Sequence, residues 1–167
     1  VTTQTTENIG LGEIKVSKNR STIFTIPNLG SSMALVLYDP VTRVGGVAHI
    51  VLPESSLDSN GNSDLPGKFA DQAVPELVKQ FMELGGQSRL ATISLVGGAQ
   101  MFNFGGGGGN LLNIGTRNAT AIRAALSKNN LAIEKADIGG NKGKSLKFVL
   151  ATGEVIVSIL GDREYIL

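Results

Sequence analysis

The chemistry-bearing residues of this chain crowd into one stretch, Ser21 to Pro53, which holds the sole histidine, His49, and a Gly30-Ser31-Ser32 turn. Between them lies an apolar run, Met33 to Tyr38, closed by Asp39-Pro40; it reads as a buried strand and then a turn. A second run, Val44 to Leu52, follows at once, so the two predict an antiparallel hairpin. A four-residue loop over Asp39 to Thr42 pairs Tyr38 with Arg43 and carries Ser32 opposite His49. Directly opposed side chains share one face, with Cβ atoms roughly 5 Å apart, whereas a one-residue slip would separate them. A hydroxyl beside an imidazole is the arrangement of a nucleophile and its base, which needs a third group to fix the ring tautomer. Thr25, at the end of the preceding strand, is the nearest polar candidate. The plainer alternatives are a satisfied core histidine and ordinary turn serines.

The elements that must position these residues follow from pattern. Val1 to Asn8 is polar and Thr-rich and predicts a flexible N-terminus, leaving 9–167 as a single domain. Ile9 to Val16 and Thr22 to Ile26 read as strands, with Pro27 ending the second because it cannot donate a backbone hydrogen bond. Glu54 to Lys68 is a long polar loop, a lid or a mobile segment. Phe69, Ala73, Leu77, Phe81 and Leu84 fall at helical spacing and Gly85-Gly86 caps them, with Pro75 either kinking the helix or in its first turn. Arg89 to Val96 predicts a strand, Gly105 to Gly109 a flexible loop, and Thr116 to Asn129 a second helix with Ala121, Ile122, Ala125 and Leu126 facing the core. Leu131 to Ala136, Ser145 to Ala151 and Glu154 to Leu160 read as further strands. About seven strands with two or three helices grouped among them indicate an α+β layered domain with mixed and antiparallel strands.

Composition narrows the function classes. At 167 residues with 41% hydrophobic and 17% charged side chains, the chain can bury a proper core. A net charge of +1 gives no electrostatic argument for nucleic acid. No apolar run is long enough for membrane insertion and no signal peptide is legible, so the cytoplasm is the expected location. One histidine and no cysteine argue against a metal site, and no motif calls for a cofactor. Gly139 to Ser145 superficially resembles a phosphate loop, but it is one residue short and a strand follows where a helix should start.

Several ordered segments resemble the CheD family of chemoreceptor glutamine deamidases along nearly the whole chain. They are Gly10-Leu11-Gly12-Glu13, Leu29-Gly30-Ser31-Ser32, Ala48-His49-Ile50-Val51-Leu52-Pro53, Pro66-Gly67-Lys68-Phe69-Ala70-Asp71, Gly97-Gly98-Ala99-Gln100-Met101-Phe102, Asn113-Ile114-Gly115-Thr116-Arg117-Asn118 and Gly139-Gly140-Asn141. The resemblance implies an α/β layered sandwich similar to the catalytic domain of deamidating toxins. It also implies hydrolysis of receptor glutamine amides to glutamate by a Cys, His and Thr set. Carried over by motif, the histidine is His49, the threonine Thr25, and the cysteine position is Ser32, so deamidation is expected to be weak or absent. Ser32 is either an engineered replacement or natural divergence. The added residue at Pro27-Asn28 and Ile138 before Gly139 favour divergence, and the first of these puts the Thr25 match in question. The implied partners are chemoreceptor cytoplasmic helices and a CheC-like phosphatase, the latter suiting a silent adaptor. Gly30, Ser31, Gly98, Met101 and Phe102 are the expected binding residues.

Overall fold

An unbroken apolar run such as Met33 to Tyr38 has no polar face to offer water, so a strand built from it must be covered on both sides. The computed structural model, which describes residues 3–57, 65–100 and 113–167, covers it with a second sheet on one side and two helices on the other. In chain order the strands are β1 (Thr5–Asn8), β2 (Ile14–Ser17), β3 (Thr22–Leu29), β4 (Met33–Tyr38) and β5 (Gly45–Ile50), followed by helix α1 (Ala70–Glu83). Strand β6 (Thr92–Gly97) leads to α2 (Ile114–Lys128), then β7 (Lys135–Ile138), β8 (Lys144–Val149), β9 (Glu154–Ile159) and β10 (Glu164–Ile166). A central sheet of order β2-β5-β4-β6-β7 and an outer sheet of order β1-β3-β8-β9-β10 result. Both are mixed: β1–β3 and β6–β7 pair in parallel and the remaining neighbours are antiparallel. The fold is therefore α+β, in three layers.

Alternation along β4 divides the core. Met33, Leu35 and Leu37 pack toward Ala73, Leu77, Phe81 and Ile122 of the helices. Ala34 and Val36 pack toward Phe24, Ile26 and Phe148 of the outer sheet. Helix α1 buries the apolar stripe expected of it and closes with a Schellman arrangement, Gly86 N–H to Phe81 O at 3.0 Å and Gly85 in the left-handed region at φ 99°. Pro75 lies in the helix's second turn rather than its first, so the Asp71 carbonyl lacks the usual intrahelical donor.

Several boundaries differ from expectation. Thr5–Asn8, expected to be loose, forms β1 along the edge of β3; an edge strand exposed on both faces carries no hydrophobic alternation to betray it. Strand β3 does not stop at Pro27. It runs to Leu29 through a bulge, with Ile26 opposite Leu146 and Leu29 opposite Lys144, so one extra residue is absorbed without losing the pairing. The β4–β5 loop keeps its predicted length but slides one residue, to Pro40–Arg43, and Tyr38 pairs with Gly45. The cause is Asp39. Its N–H donates to the Val44 carbonyl at 2.9 Å, so it belongs to the ladder, while its buried carboxylate accepts the Val41 and Thr42 N–H groups, the Thr42 hydroxyl and the Gln87 N–H. Arg43, at φ 62°, completes the reversal.

At the site end, the two sheets are tied by a part-buried polar cluster. Lys144 Nζ contacts Asp137 Oδ1 at 2.8 Å, the Asp137 carbonyl at 3.2 Å and the Gly139 carbonyl at 3.1 Å, and the Tyr165 hydroxyl donates to the other Asp137 oxygen. All three ammonium protons are thereby used.

Burial pushes the Asp39 carboxyl up, but the N–H and hydroxyl donors together outweigh it and hold it below the ordinary range. Its stabilising contribution is thus present above the unfolded carboxyl pKa of about 3.9 and is lost as pH falls through the lower folded value. Asp39→Ala, which removes the common acceptor of these part-buried donors, should lower the unfolding free energy by about 2 kcal/mol, read as an earlier urea midpoint at neutral pH.

Candidate functional site

The β4–β5 ladder ends with Ala34 opposite His49 and Met33 opposite Ile50. Ser32 therefore lies just beyond the ladder, and His49 is its diagonal neighbour, not its direct partner as the expected register had it. The slide is by two residues, which preserves the face. Ser32 Oγ reaches His49 Nε2 at 2.9 Å, on the side of the central sheet that meets the outer sheet, with the two residues only 7% and 3% exposed.

The other ring nitrogen, Nδ1, is 3.3 Å from the Ile9 carbonyl. A carbonyl can only accept, so Nδ1 carries the proton and Nε2 is left to accept from Ser32. The histidine backbone is held from the same side, His49 N–H to Glu13 O at 3.0 Å and Gly12 N–H to His49 O at 2.8 Å. Residues 9–13 thus wrap the histidine, with the Glu13 carboxylate accepting the Gly10 N–H at 2.8 Å to hold the turn. Burial pushes the His49 pKa below its ordinary value, against the opposing pull of the Ile9 and Gly10 backbone and the Glu13 charge. The ring is a neutral base near pH 7.

The expected third residue, Thr25, takes a different place. It alternates to the face of β3 opposite buried Phe24 and Ile26, and its hydroxyl makes no hydrogen bond among the described residues. Its carbonyl accepts the Ile9 N–H at 2.9 Å, so it touches the histidine only through the Ile9 peptide. Nothing in side-chain chemistry marks Ile9, because the group used is its backbone.

The serine turn is pinned from β6 and α2. Gly98 N–H donates to Ser32 O at 3.0 Å and Ala99 N–H to Gly30 O at 2.8 Å. Gly97 has φ 122°, and a Cβ there would lie 2.3 Å from Ser32 O; a Cβ on Gly115 would lie 2.3 Å from Gly98 O. Backbone can approach this closely only where glycine stands. Asn118, missed from sequence, is fully buried on α2 and donates to the Ser31 and Val51 carbonyls, each at 3.0 Å. Its signal was an amide on the same helical stripe as Ile122, Ala125 and Leu126. Beside the turn, a groove of about 260 Å³ is lined by Pro27, Leu29, Gly30, Ile159 and Leu160 among others; Ser32 and His49 do not line it. Met101 and Phe102, expected to bind a partner, lie outside the described residues, as do the five-glycine run and residues 58–64 of the polar loop. Among the described residues no His/Asp/Glu cluster fits a metal ion and no helix is long and apolar enough to cross a membrane.

A buried hydroxyl–imidazole pair with a fixed tautomer lies at one end of a three-layer α+β sandwich, an arrangement with the chemistry to serve as a nucleophile and its base. Residues 51–159 match the family described as CheD chemotactic sensory transduction. The chain is 38% identical to the probable chemoreceptor glutamine deamidase CheD of Symbiobacterium thermophilum, over 95% of each chain. It is likewise 38% identical to the chemoreceptor glutamine deamidase CheD of Thermotoga maritima, over 93% of each. The chain belongs to the CheD family.

Because His49 is the sole histidine, its ring signals are unambiguous in nitrogen-15 NMR. They should show the Nδ1–H tautomer and a titration midpoint below 6.5. With the folded value lowered, the unfolded chain binds more protons in that window, so stability should fall as pH drops below about 6.5. Gly97→Ala, by displacing Ser32 O, should weaken the Ser32–His49 bond and move that midpoint.

Proposed function

We propose that this protein is, by descent, a hydrolase of glutamine side-chain amides on chemoreceptor helices, with Ser32 in the nucleophile position. The observation that carries the reading is the 2.9 Å Ser32–His49 bond, with Nδ1 anchored on a carbonyl, in a chain of this family. His49 Nε2 takes the Ser32 proton as Oγ adds to the amide carbon. The same proton then goes to the leaving nitrogen, which departs as ammonia. Water, deprotonated by His49, opens the acyl-serine ester, giving glutamate and free Ser32. The Ser31 and Ser32 N–H groups, without backbone partners among the described residues, are the donors available to the oxyanion. The groove beside Gly30 seats receptor side chains flanking the glutamine, with exposed Leu160 as its apolar rim. On this reading the protein works in the cytoplasm, alongside the receptor's cytoplasmic helices.

The serine supports a second reading. An alcohol is scarcely ionised near neutral pH, whereas an unactivated thiol is already a few per cent thiolate. A pocket shaped for a thiolate and an imidazolium, but holding a hydroxyl and a neutral ring, suits an adaptor that binds receptors or a CheC-like phosphatase without turnover.

Mass spectrometry of a receptor cytoplasmic fragment separates the two, since each deamidation adds about one dalton. Ser32→Cys should raise the rate by at least about tenfold over the native chain, and Ser32→Cys with His49→Ala should abolish it. No turnover by Ser32→Cys, on a fragment that an active relative does modify, would leave the adaptor reading. Leu160→Asp should weaken fragment binding about tenfold while leaving the melting temperature unchanged, because its side chain is already 71% exposed.

A further inference from the structure

We propose that Asn118 is a positioning residue for the Ser32–His49 pair: its amide is a crossbar between the two strand ends that carry them. The inference rests on the reading of that pair as a nucleophile and its base. Regular pairing in the β4–β5 hairpin stops at Met33 and Ile50, so the register that aligns His49 does not reach Ser32. Past that point the strands diverge, because the Val51 and Leu52 N–H groups both turn away to the Lys68 carbonyl. Two carbonyls face the gap, Ser31 O immediately before the nucleophile and Val51 O two residues after the base. The Asn118 Nδ2 group donates to both, each at 3.0 Å.

A carboxamide is well suited to this task, since one nitrogen presents two protons at a fixed angle to two acceptors. The anchor is rigid too. Asn118 is 0% exposed on α2, and Gly115 of the same helix packs against Gly98, whose N–H holds the Ser32 carbonyl. The cost is visible: Asn118 Oδ1 is buried with no partner among the described residues. A side chain kept only for packing would shed that oxygen, so the donors are what the site uses. Asn118 itself stays on the helix side of the central sheet and does not touch the reacting atoms; it acts through the serine turn.

The absence of any cysteine makes the test clean, because Ser32→Cys introduces the only thiol. Its alkylation by iodoacetamide, followed against pH, reports how closely His49 partners it. With Asn118 intact, the midpoint should lie well below the free-thiol value of about 8.5. Adding Asn118→Ala should raise that midpoint by one unit or more and slow alkylation near pH 6.5 about tenfold, with circular dichroism unchanged. An ordinary midpoint in Ser32→Cys alone would sink the nucleophile–base reading itself. A lowered midpoint that Asn118→Ala leaves in place would overturn only the crossbar. Should Asn118→Ala fail to fold, Asn118→Ser is judged by the same shift, and if neither folds the residue serves the fold alone and the proposal is lost.

Discussion

The register of the β4–β5 ladder is the constraint on which the rest depends. Ala34 and His49 are paired there, and each neighbouring residue points alternately into one of two cores. Sliding the pairing by one residue would turn Met33, Leu35 and Leu37 away from the helices and take His49 off the inter-sheet face. Burial on both sides therefore does two jobs at once, stabilising the centre of the sandwich and aiming the histidine.

What that ladder cannot do is hold Ser32, which lies past its last pair. The structure compensates with contacts from three separate segments. Residues 9–13 fix the ring, Gly98 and Ala99 hold the carbonyls on either side of Ser31, and Asn118 spans the gap. The Lys144–Asp137–Tyr165 cluster continues the same support, since Gly139, which Lys144 grips, donates its N–H to Gly97 O at 2.9 Å. Most of these supports are backbone groups or buried polar side chains, so the site is built as a frame around a pair, not as a row of reactive residues.

The chemistry this frame offers is conditioned by one atom. A neutral imidazole hydrogen-bonded to a hydroxyl can act as a base, yet the proton it must remove is held far more tightly than that of a thiol. The lowered His49 pKa keeps the ring available as an acceptor but limits its basicity. On the proposed reading the family and the geometry point to one site, at which the identity of the nucleophile governs how much activity is expressed.

By itself the sequence determined whatever depends on pattern and local chemistry. The two-sided apolar run of β4, the stripe of α1 with its Gly85-Gly86 end, and the shared face of Ser32 and His49 are all of this kind, because side-chain periodicity survives even a register slide of two. The family was legible too, through ordered segments such as Ala48 to Pro53. Tertiary structure decided the rest. Edge strands β1 and β10 have no buried face to pattern them, and the bulge at Pro27–Asn28 is defined only by its partner β8. The Asp39 carboxylate drew that residue into the ladder only because the Gln87 N–H, distant in sequence, arrives beside it. The histidine's anchor is a backbone carbonyl and the crossbar is an amide on a remote helix. Neither group has a sequence signature for its partner, because what selects them is proximity created by the folded layers.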